Sequence, residues 1–250
     1  MGGENLWGAT DLNIILFQPE EVEHPLSLND ERATHLLTIL HLPAGGVFDA
    51  GIINGPIGKG TLVKIGSGAL QLSFIWGQEP SPLCPIHLFV GLPRPQTARD
   101  ILRDVTTLGV ASIDFVGTER GEPSYGSSGL WKTDEWKKCV IRGAAQSFST
   151  RLPVITHGQT LPETIAKAPK NTLRLALDNY EAPTPLADLN RAEHSSAILA
   201  LGSERGWSPN ERAILRKAGF TLVHLGSRVL RTETACIAAV TLIKAKLGLF

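Results

Sequence analysis

The sequence predicts a mixed α/β fold with two domains, a small β-rich barrel over residues 1–80 and an α/β domain over residues 81–250. In the first part, short β-prone runs alternate with glycine turns, which is typical of a small barrel. Residues 79–85 then contain three prolines and indicate a linker. Beyond them, strand patterns alternate with helix patterns, which favours a mostly parallel sheet covered on both faces.

The charge distribution supports this division. Residues 1–80 contain 3 Lys and Arg against 9 Asp and Glu, a net charge of −6, whereas the remaining residues contain 21 against 15, a net charge of +6. An anionic partner is therefore expected to meet mainly the second domain.

Cysteine spacing and hydropathy exclude several classes of protein. Cys84, Cys139 and Cys236 show no paired spacing, so neither a disulfide framework nor a zinc site is predicted. No apolar window reaches membrane-spanning length. We therefore expect a soluble, cytoplasmic protein without a metal ion or a membrane partner.

Elements of the first domain follow from local patterns. Residues 1–11 are polar and glycine-bearing, which indicates a loose tail. The predicted elements are a strand over residues 13–17, a helix from residues 27–31 to residue 40, and strands over residues 47–51, 60–65 and 70–76.

Elements of the second domain alternate between strand and helix. The predicted order is a strand over residues 86–90, a helix over 97–108, a strand over 113–116, a helix over 131–146 and a strand over 173–177. Gly109 is expected to end the first of these helices.

Residues 197–240 contain two glycine-bearing loops, each placed after a predicted strand. Ser208 and Pro209 mark a helix start between the loops, and Gly219 marks its end. The predicted order is a strand over residues 198–201, a first loop over 202–207, a helix over 209–218, a strand over 220–225, a second loop over 226–234 and a terminal helix. Ligands bind at the carboxyl ends of strands in open α/β sheets, so the two loops are the expected functional site.

The two loops carry a family resemblance. Residues 202–211, GSERGWSPNE, follow G-P-E-G-G-[FL]-[ST]-x-x-E with three changes, and residues 225–235, LGSRVLRTETA, match L-G-x-R-[IV]-L-R-x-E-T-A throughout. The chain thus resembles the SPOUT-class methyltransferases, specifically the RsmE family, which methylates N3 of a uridine in small-subunit ribosomal RNA with S-adenosylmethionine. Thr118-Glu119-Arg120 and residues 146–153 match further family signatures loosely.

The resemblance implies a fold, an assembly and partners. The first domain resembles the family's PUA-like RNA-binding barrel, with His35-Leu36 in the place of a family segment. The second resembles a SPOUT domain with a trefoil knot, and family members are homodimers. The implied partners are ribosomal RNA or the small ribosomal subunit.

The resemblance, together with the placement of basic side chains, predicts site residues in three groups. The cofactor-binding residues are Leu177, Leu201, Gly202, Ser203, Glu204, Gly206, Trp207, Leu225, Gly226, Val229, Leu230, Arg231, Thr232, Glu233 and Thr234. The catalytic residues are Arg120, Arg228 and Arg231, and the RNA-binding residues are Arg94, Arg99, Arg142, Gln146 and Arg151. The matched loops contain no obvious general base, so an arginine is expected to stabilise the uridine anion.

Departures from the family pattern leave alternatives open. His41, Asp104 and Thr107 replace an arginine, a lysine and a glutamate, so the methyl donor is better supported than the exact RNA. A non-catalytic RNA-binding or ribosome-assembly protein, or a methyltransferase with another RNA target, also fits the sequence. A Rossmann enzyme is disfavoured because no G-x-G-x-x-G follows the first strands. Arg120 fits either a phosphate contact or a surface charge, and Glu204 either a ribose or backbone contact or a solvated pair with Arg205.

Overall fold

The computed structural model describes residues 13–190 and 194–250, which fold as two units. The first unit consists of the described residues through Ser81 together with Ala145–Arg151, and the second of Pro82–Ala144 and Leu152–Phe250. The predicted mixed α/β class is confirmed, because one unit holds a five-stranded sheet and the other a parallel seven-stranded sheet. The tail expected over residues 1–11 lies outside the described residues.

The first unit is built on a mainly antiparallel sheet with spatial order β1-β3-β4-β5-β2. Its strands are β1 (Ile15–Phe17), β2 (Leu26–Ser27), β3 (Val47–Ile52), β4 (Ile57–Ile65) and β5 (Ala69–Trp76). Along β5, exposed side chains alternate with more buried ones, as expected for a sheet with one covered face. Phe17, Phe48 and Phe74 meet in its core, where the Phe17 and Phe74 ring centroids lie 5.0 Å apart.

The helix of the first unit differs from the predicted single helix. It begins as α1 (Glu31–Thr34), capped by Asp30, whose side chain accepts a hydrogen bond from the Arg32 backbone N–H. From His35 to Ile39 it continues as a π-helix, because the Leu40 N–H donates to the His35 carbonyl instead of to the carbonyl four residues back.

The segment Ala145–Arg151 completes the first unit from a distant part of the sequence. Thr150 is fully buried and donates through Oγ1 to the Gly55 carbonyl at 2.6 Å. The Asn54 backbone N–H donates to the Thr150 carbonyl at 2.8 Å. These contacts join residues that are far apart in the sequence, so no local sequence pattern predicts them.

The second unit is built on a sheet with spatial order β10-β12-β9-β11-β6-β7-β8, and every neighbouring pair is parallel. Its strands are β6 (Cys84–Gly91), β7 (Val110–Gly117), β8 (Val154–Thr160), β9 (Leu173–Leu177), β10 (Thr184–Pro185), β11 (Ala197–Leu201) and β12 (Thr221–His224). β8 and the short β10 are additions to the predicted strands.

The helices of the second unit follow the predicted alternation, with two differences. They are α2 (Pro95–Thr106), α3 (Gly129–Lys132), α4 (Glu135–Gln146), α5 (Leu161–Lys167), α6 (Pro209–Lys217) and α7 (Thr232–Leu247). The helix predicted over residues 131–146 is interrupted at Asp134, whose φ of +56° breaks the helical path. The unpredicted α5 begins with a capping box between Thr160 and Glu163.

Both faces of the parallel sheet are buried. Along β6, Leu88 belongs to one apolar cluster and the next residue, Phe89, to another on the opposite face. Two-sided burial explains why these strands are continuous apolar runs in the sequence. It leaves the carboxyl edge, where β6, β11, β9 and β12 end side by side, as the place for polar chemistry.

Several classes of feature are absent from residues 13–190 and 194–250. No helix there is long and apolar enough to cross a membrane. No group of three or more His, Cys, Asp or Glu residues there could hold a metal ion. The three cysteines are free, and burial raises the pKa of Cys139 and Cys236, so both favour the unreactive thiol form.

Candidate functional site

A cavity of about 510 Å³ opens at the carboxyl edge of the parallel sheet. The chain contributes the start of α2, the ends of β9, β11 and β12, the two glycine loops and the start of α7. The lining residues are Arg94, Thr97, Leu177, Asp178, Asn179, Tyr180, Leu201, Gly202, Ser203, Glu204, Arg205, Gly206, Leu225, Arg228, Val229, Leu230, Arg231, Thr232, Glu233 and Ala235. This volume suits a small organic ligand.

The first loop (residues 202–207) is a tight turn that folds onto itself. The Gly206 backbone N–H donates to the Ser203 carbonyl at 2.8 Å, and Gly206 has a φ of +66°. A Cβ at Gly202 would lie 2.9 Å from the Gly206 backbone. Glycine is therefore required here by the geometry of the loop itself, before any ligand is considered.

The loop is also pressed against the end of β6. A Cβ at Gly91 would lie 2.4 Å from the backbone nitrogen of Ser203 and 2.9 Å from Cγ2 of Thr118. Both hydroxyl oxygens, Ser203 Oγ and Thr118 Oγ1, are buried and have no hydrogen-bond partner in the described part of the chain. An unpaired buried hydroxyl costs about 1–3 kcal/mol. Since Ser203 also lines the cavity, a polar ligand atom could supply the missing partner.

Trp207, the last residue of the first loop, anchors the loop to the parallel sheet. Its side chain is fully buried, and Nε1 donates to the Leu177 carbonyl at 3.1 Å, which ties the loop to the end of β9. The cavity is lined by all the predicted cofactor residues except Trp207, Gly226 and Thr234.

A buried carboxylate joins α6 to the segment that follows β7. Glu211 forms a capping box with Ser208 and also accepts a hydrogen bond from the Glu119 backbone N–H at 2.9 Å. The Glu119 carboxylate accepts hydrogen bonds from Ser208 and Asn210, and these lower its pKa. Arg120 Nη1 donates to the Arg205 carbonyl at 3.2 Å, so Arg120 contacts the first loop from outside the cavity lining.

Asp178, which directly follows β9, forms a buried ion pair with Arg212 of α6. This pair was not predicted from the sequence. Arg212 Nε donates to Asp178 Oδ2 at 2.7 Å, and the two side chains are only 5% and 1% exposed. Asp178 Oδ1 accepts the backbone N–H groups of Tyr180 and Glu181, so it also shapes the turn that follows β9. The sequence signal that could have indicated a role for Asp178 is its place in a polar run directly after a buried strand.

Glu204 and Arg94 meet at the cavity wall. The Arg94 backbone N–H, at the start of α2, donates to Glu204 Oε1 at 2.9 Å. The Arg94 side chain donates to Thr97 Oγ1 at 3.1 Å. Glu204 therefore makes a backbone contact, one of the alternatives left open by the sequence, and its partner is the Arg94 N–H.

The second loop brings two guanidinium groups to the cavity. Arg228 and Arg231 line it, are exposed, and make no side-chain hydrogen bond or ion pair within residues 13–190 and 194–250. Gly226 has a φ of +105°, and its backbone N–H donates to His224 Nδ1 at 3.0 Å, which fixes the start of the loop. The last residues predicted for the loop form the first turn of α7, which begins at Thr232.

Comparison with known proteins identifies the family. A family model described as an RNA methyltransferase domain matches residues 79–244. A ribosomal RNA small subunit methyltransferase E from Treponema pallidum is 40% identical over 245 residues, covering 94% of this chain and 91% of the relative. The chain belongs to the ribosomal RNA small subunit methyltransferase E family.

Further members and solved structures agree with this assignment. The ribosomal RNA small subunit methyltransferase E 1 of Borreliella burgdorferi is 28% identical, covering 94% of this chain and 99% of the relative. The structure of a ribosomal RNA small subunit methyltransferase E from Neisseria gonorrhoeae bound to S-adenosyl methionine has a TM-score of 0.73 at 24% identity, covering 93% of this chain and 97% of that one. A probable rRNA-methyltransferase from Porphyromonas gingivalis has a TM-score of 0.78 at 22% identity, covering 94% and 99%. Both structures share the fold.

Of the predicted RNA-binding residues, only Arg94 is among those that line the cavity. Arg99 makes two hydrogen bonds to the Glu135 carboxylate, at 2.8 and 3.0 Å. Arg142 and Gln146 are exposed. Arg151 belongs to the first unit, where it donates to the Asn54 carbonyl at 3.1 Å. The charge of Arg99 is thus already balanced within the protein.

The approach of Gly91 to the first loop gives a prediction for the methyltransferase E fold. We expect Gly91→Ala to destabilise the protein by about 1–3 kcal/mol, because the added Cβ meets backbone atoms that no side-chain rotation can move. Gly117→Ala, at the end of neighbouring β7, is the matched control, since its Cβ would lie 3.7 Å from the nearest atom. Urea denaturation measures both. Equal stability of the two variants would contradict the proposed close approach.

Proposed function

We propose that the protein is an S-adenosylmethionine-dependent methyltransferase that acts on N3 of a uridine in small-subunit ribosomal RNA. One observation carries the proposal. The two loops that match the family motifs come together at the carboxyl edge of the sheet and line one cavity. The Treponema pallidum relative, named as a ribosomal RNA small subunit methyltransferase E, supports the substrate class.

The cavity residues fit the cofactor. Ser203 Oγ is a buried hydroxyl lacking a partner among the described residues, and it can bond a polar atom of the ligand. Gly202 and Gly206 line the cavity without a side chain, so a ligand can approach the backbone there. The Neisseria gonorrhoeae protein of the same fold is bound to S-adenosyl methionine. When bound, this cofactor supplies an activated methyl group, whose bond to sulfur breaks with both electrons remaining on sulfur.

The proton on uridine N3 must leave before or as the new N–C bond forms. The carboxylates of the cavity wall are poor bases for this step. Asp178 is paired with Arg212, Glu204 accepts the Arg94 N–H, and Glu233 lies in the first turn of α7. We therefore assign the stabilisation of the uridine anion to cationic groups, while the proton passes to solvent.

Arg228 and Arg231 are the cationic groups available for this role. Both line the cavity, and neither has an acidic partner within the described chain. A guanidinium stays charged throughout the working pH range, so it can stabilise developing negative charge without losing a proton. Arg120 is assigned a supporting role, holding the first loop through the Arg205 carbonyl and leaving further N–H donors for an RNA phosphate.

The reaction itself tests the proposal. Purified protein, labelled S-adenosylmethionine and small-subunit ribosomal RNA should give N3-methyluridine on nucleoside mass spectrometry. Cofactor at one hundred times its Kd should stabilise the fold by roughly 2.7 kcal/mol, measured by calorimetry. Cofactor binding without methylation would favour the non-catalytic RNA-binding alternative. Methylation of another nucleoside would favour a different RNA target.

The role of Arg231 makes a separate prediction. We expect Arg231→Ala to lower the single-turnover rate roughly a hundredfold or more, on the scale of one lost transition-state donor. The wild-type rate should rise with pH from about 7 to 9, because a larger fraction of uridine N3 is deprotonated. Lys217→Ala, which removes an exposed positive charge from the last turn of α6, should leave the rate unchanged.

Affinity for S-adenosylhomocysteine is measured on each variant to separate binding from chemistry. A rate that levels off near about pH 6.5 and is lost in His224→Ala would point to a histidine base and contradict the arginine assignment.

We further propose a homodimer formed through the outer face of α7. Its inward face holds buried apolar residues, while Thr234, Ile237, Thr241 and Ala245 form an exposed apolar and small-residue stripe along the other side. Light scattering should give a dimer at micromolar concentration. Ile237→Glu should give a monomer, whereas Ala166→Glu on the exposed side of α5 should not. A monomeric wild-type protein would contradict this assembly.

The finer fold assignments are also proposals. β12 lies beyond β9 in the sheet although β11 comes between them in sequence, so the chain recrosses β9 before the second loop. This order supports a SPOUT-type trefoil knot in the domain from residue 81 onward. The curled antiparallel sheet supports a PUA-like RNA-binding domain over residues 1–80. An experimental structure tests both assignments, and cell fractionation tests the cytoplasmic location expected for an rRNA-modifying enzyme.

A further inference from the structure

Two large apolar side chains stand exposed on the cavity wall. Tyr180, after β9, is 74% exposed, and Val229, in the second loop, is 80% exposed. Both line the cavity although they belong to different segments. Single exposed apolar residues need no explanation, but two of them at one concave site indicate a surface that a ligand covers.

The Tyr180 ring is supported on one side by the buried ion pair. The guanidinium carbon of Arg212 lies 5.2 Å from the ring centroid, within range of a cation–π contact. Arg212 is itself fixed, because it donates to Asp178 at 2.7 Å and lies 3.4 Å from a Glu181 carboxylate oxygen. The backbone of Tyr180 is held by its N–H bond to Asp178 Oδ1.

The first loop lies close to the same ring. A Cβ at Gly206 would lie at an ordinary contact distance, 3.6 Å, from Cε2 of Tyr180, so the first loop borders one edge of the ring. Most of the ring surface nonetheless remains exposed to solvent. A ring that is held in place but uncovered can receive a flat ligand without losing much conformational freedom on binding.

We propose that Tyr180 is a stacking platform for a planar nitrogen heterocycle that enters the cavity. The inference rests on the proposed function, which provides two such rings, the adenine of the cofactor and a base of the RNA. Aromatic side chains stack on any base, because every base presents a π-face. The phenol hydroxyl is not needed for this contact, so the ring alone carries the role.

Three substitutions separate stacking from other roles of the side chain. Tyr180→Phe keeps the ring, Tyr180→Leu keeps apolar bulk without the ring, and Tyr180→Ala removes both. Because the side chain is exposed, all three variants should fold; Tyr180→Phe should keep the wild-type melting temperature, and Tyr180→Leu and Tyr180→Ala should lose at most the small contribution of the Arg212 contact. Calorimetry measures the Kd for S-adenosylhomocysteine, and filter binding measures the Kd for isolated small-subunit ribosomal RNA without cofactor.

Tyr180→Phe should bind both probes as the wild type does. Tyr180→Ala and Tyr180→Leu should lose between roughly 5-fold and 150-fold in affinity for at least one probe. A loss confined to S-adenosylhomocysteine identifies adenine as the stacked ring, and a loss confined to RNA identifies a base. Unchanged affinity of Tyr180→Ala for both probes would overturn the inference, as would wild-type affinity in Tyr180→Leu. A wild-type protein that binds neither probe would refute the proposed function and the inference together.

Discussion

The site depends on one close approach of two backbones, where the end of β6 meets the first loop at Gly91. No side chain fits between them, since a Cβ there would lie 2.4 Å from the Ser203 nitrogen. The first loop, which follows β11, therefore packs directly against the end of β6. Gly206 reverses the direction of the loop with a left-handed backbone conformation. Trp207 then fills the space beneath and bonds to the end of β9. The first loop thereby connects the ends of β6, β9 and β11.

Buried polar groups give the cavity wall its shape. Asp178 and Arg212 form an ion pair with almost no solvent exposure, and Glu211 bonds both its own helix start and the Glu119 backbone. Buried ion pairs are weak sources of stability, because desolvation offsets most of their attraction. Their value here is geometric, since Asp178 holds two backbone N–H groups of the turn carrying Tyr180.

The parts of the fold and the site that could be predicted from the sequence are those that depend on residues close together in the chain. The N-cap at Ser208, the stop at Gly219 and the motif-bearing loops depend on neighbouring residues, and the structure has these elements where they were expected. The Asp178–Arg212 pair joins residues far apart in the chain, and only the fold brings them together. The π-helix at His35–Ile39 and the break at Asp134 were not predicted, because both are local departures of the backbone inside segments whose residues otherwise follow a helical pattern.

The return of Ala145–Arg151 to the first unit has a consequence for how the chain is made. As the polypeptide leaves the ribosome, the β-rich unit is complete in sequence only when much of the second unit has already emerged. Until then the Gly55 carbonyl and the Asn54 N–H lack the Thr150 partner that they have in the finished protein. Synthesis therefore imposes an order in which the amino-terminal unit closes late. A gene fragment cut at the proline-rich linker would encode a unit that lacks this closing segment.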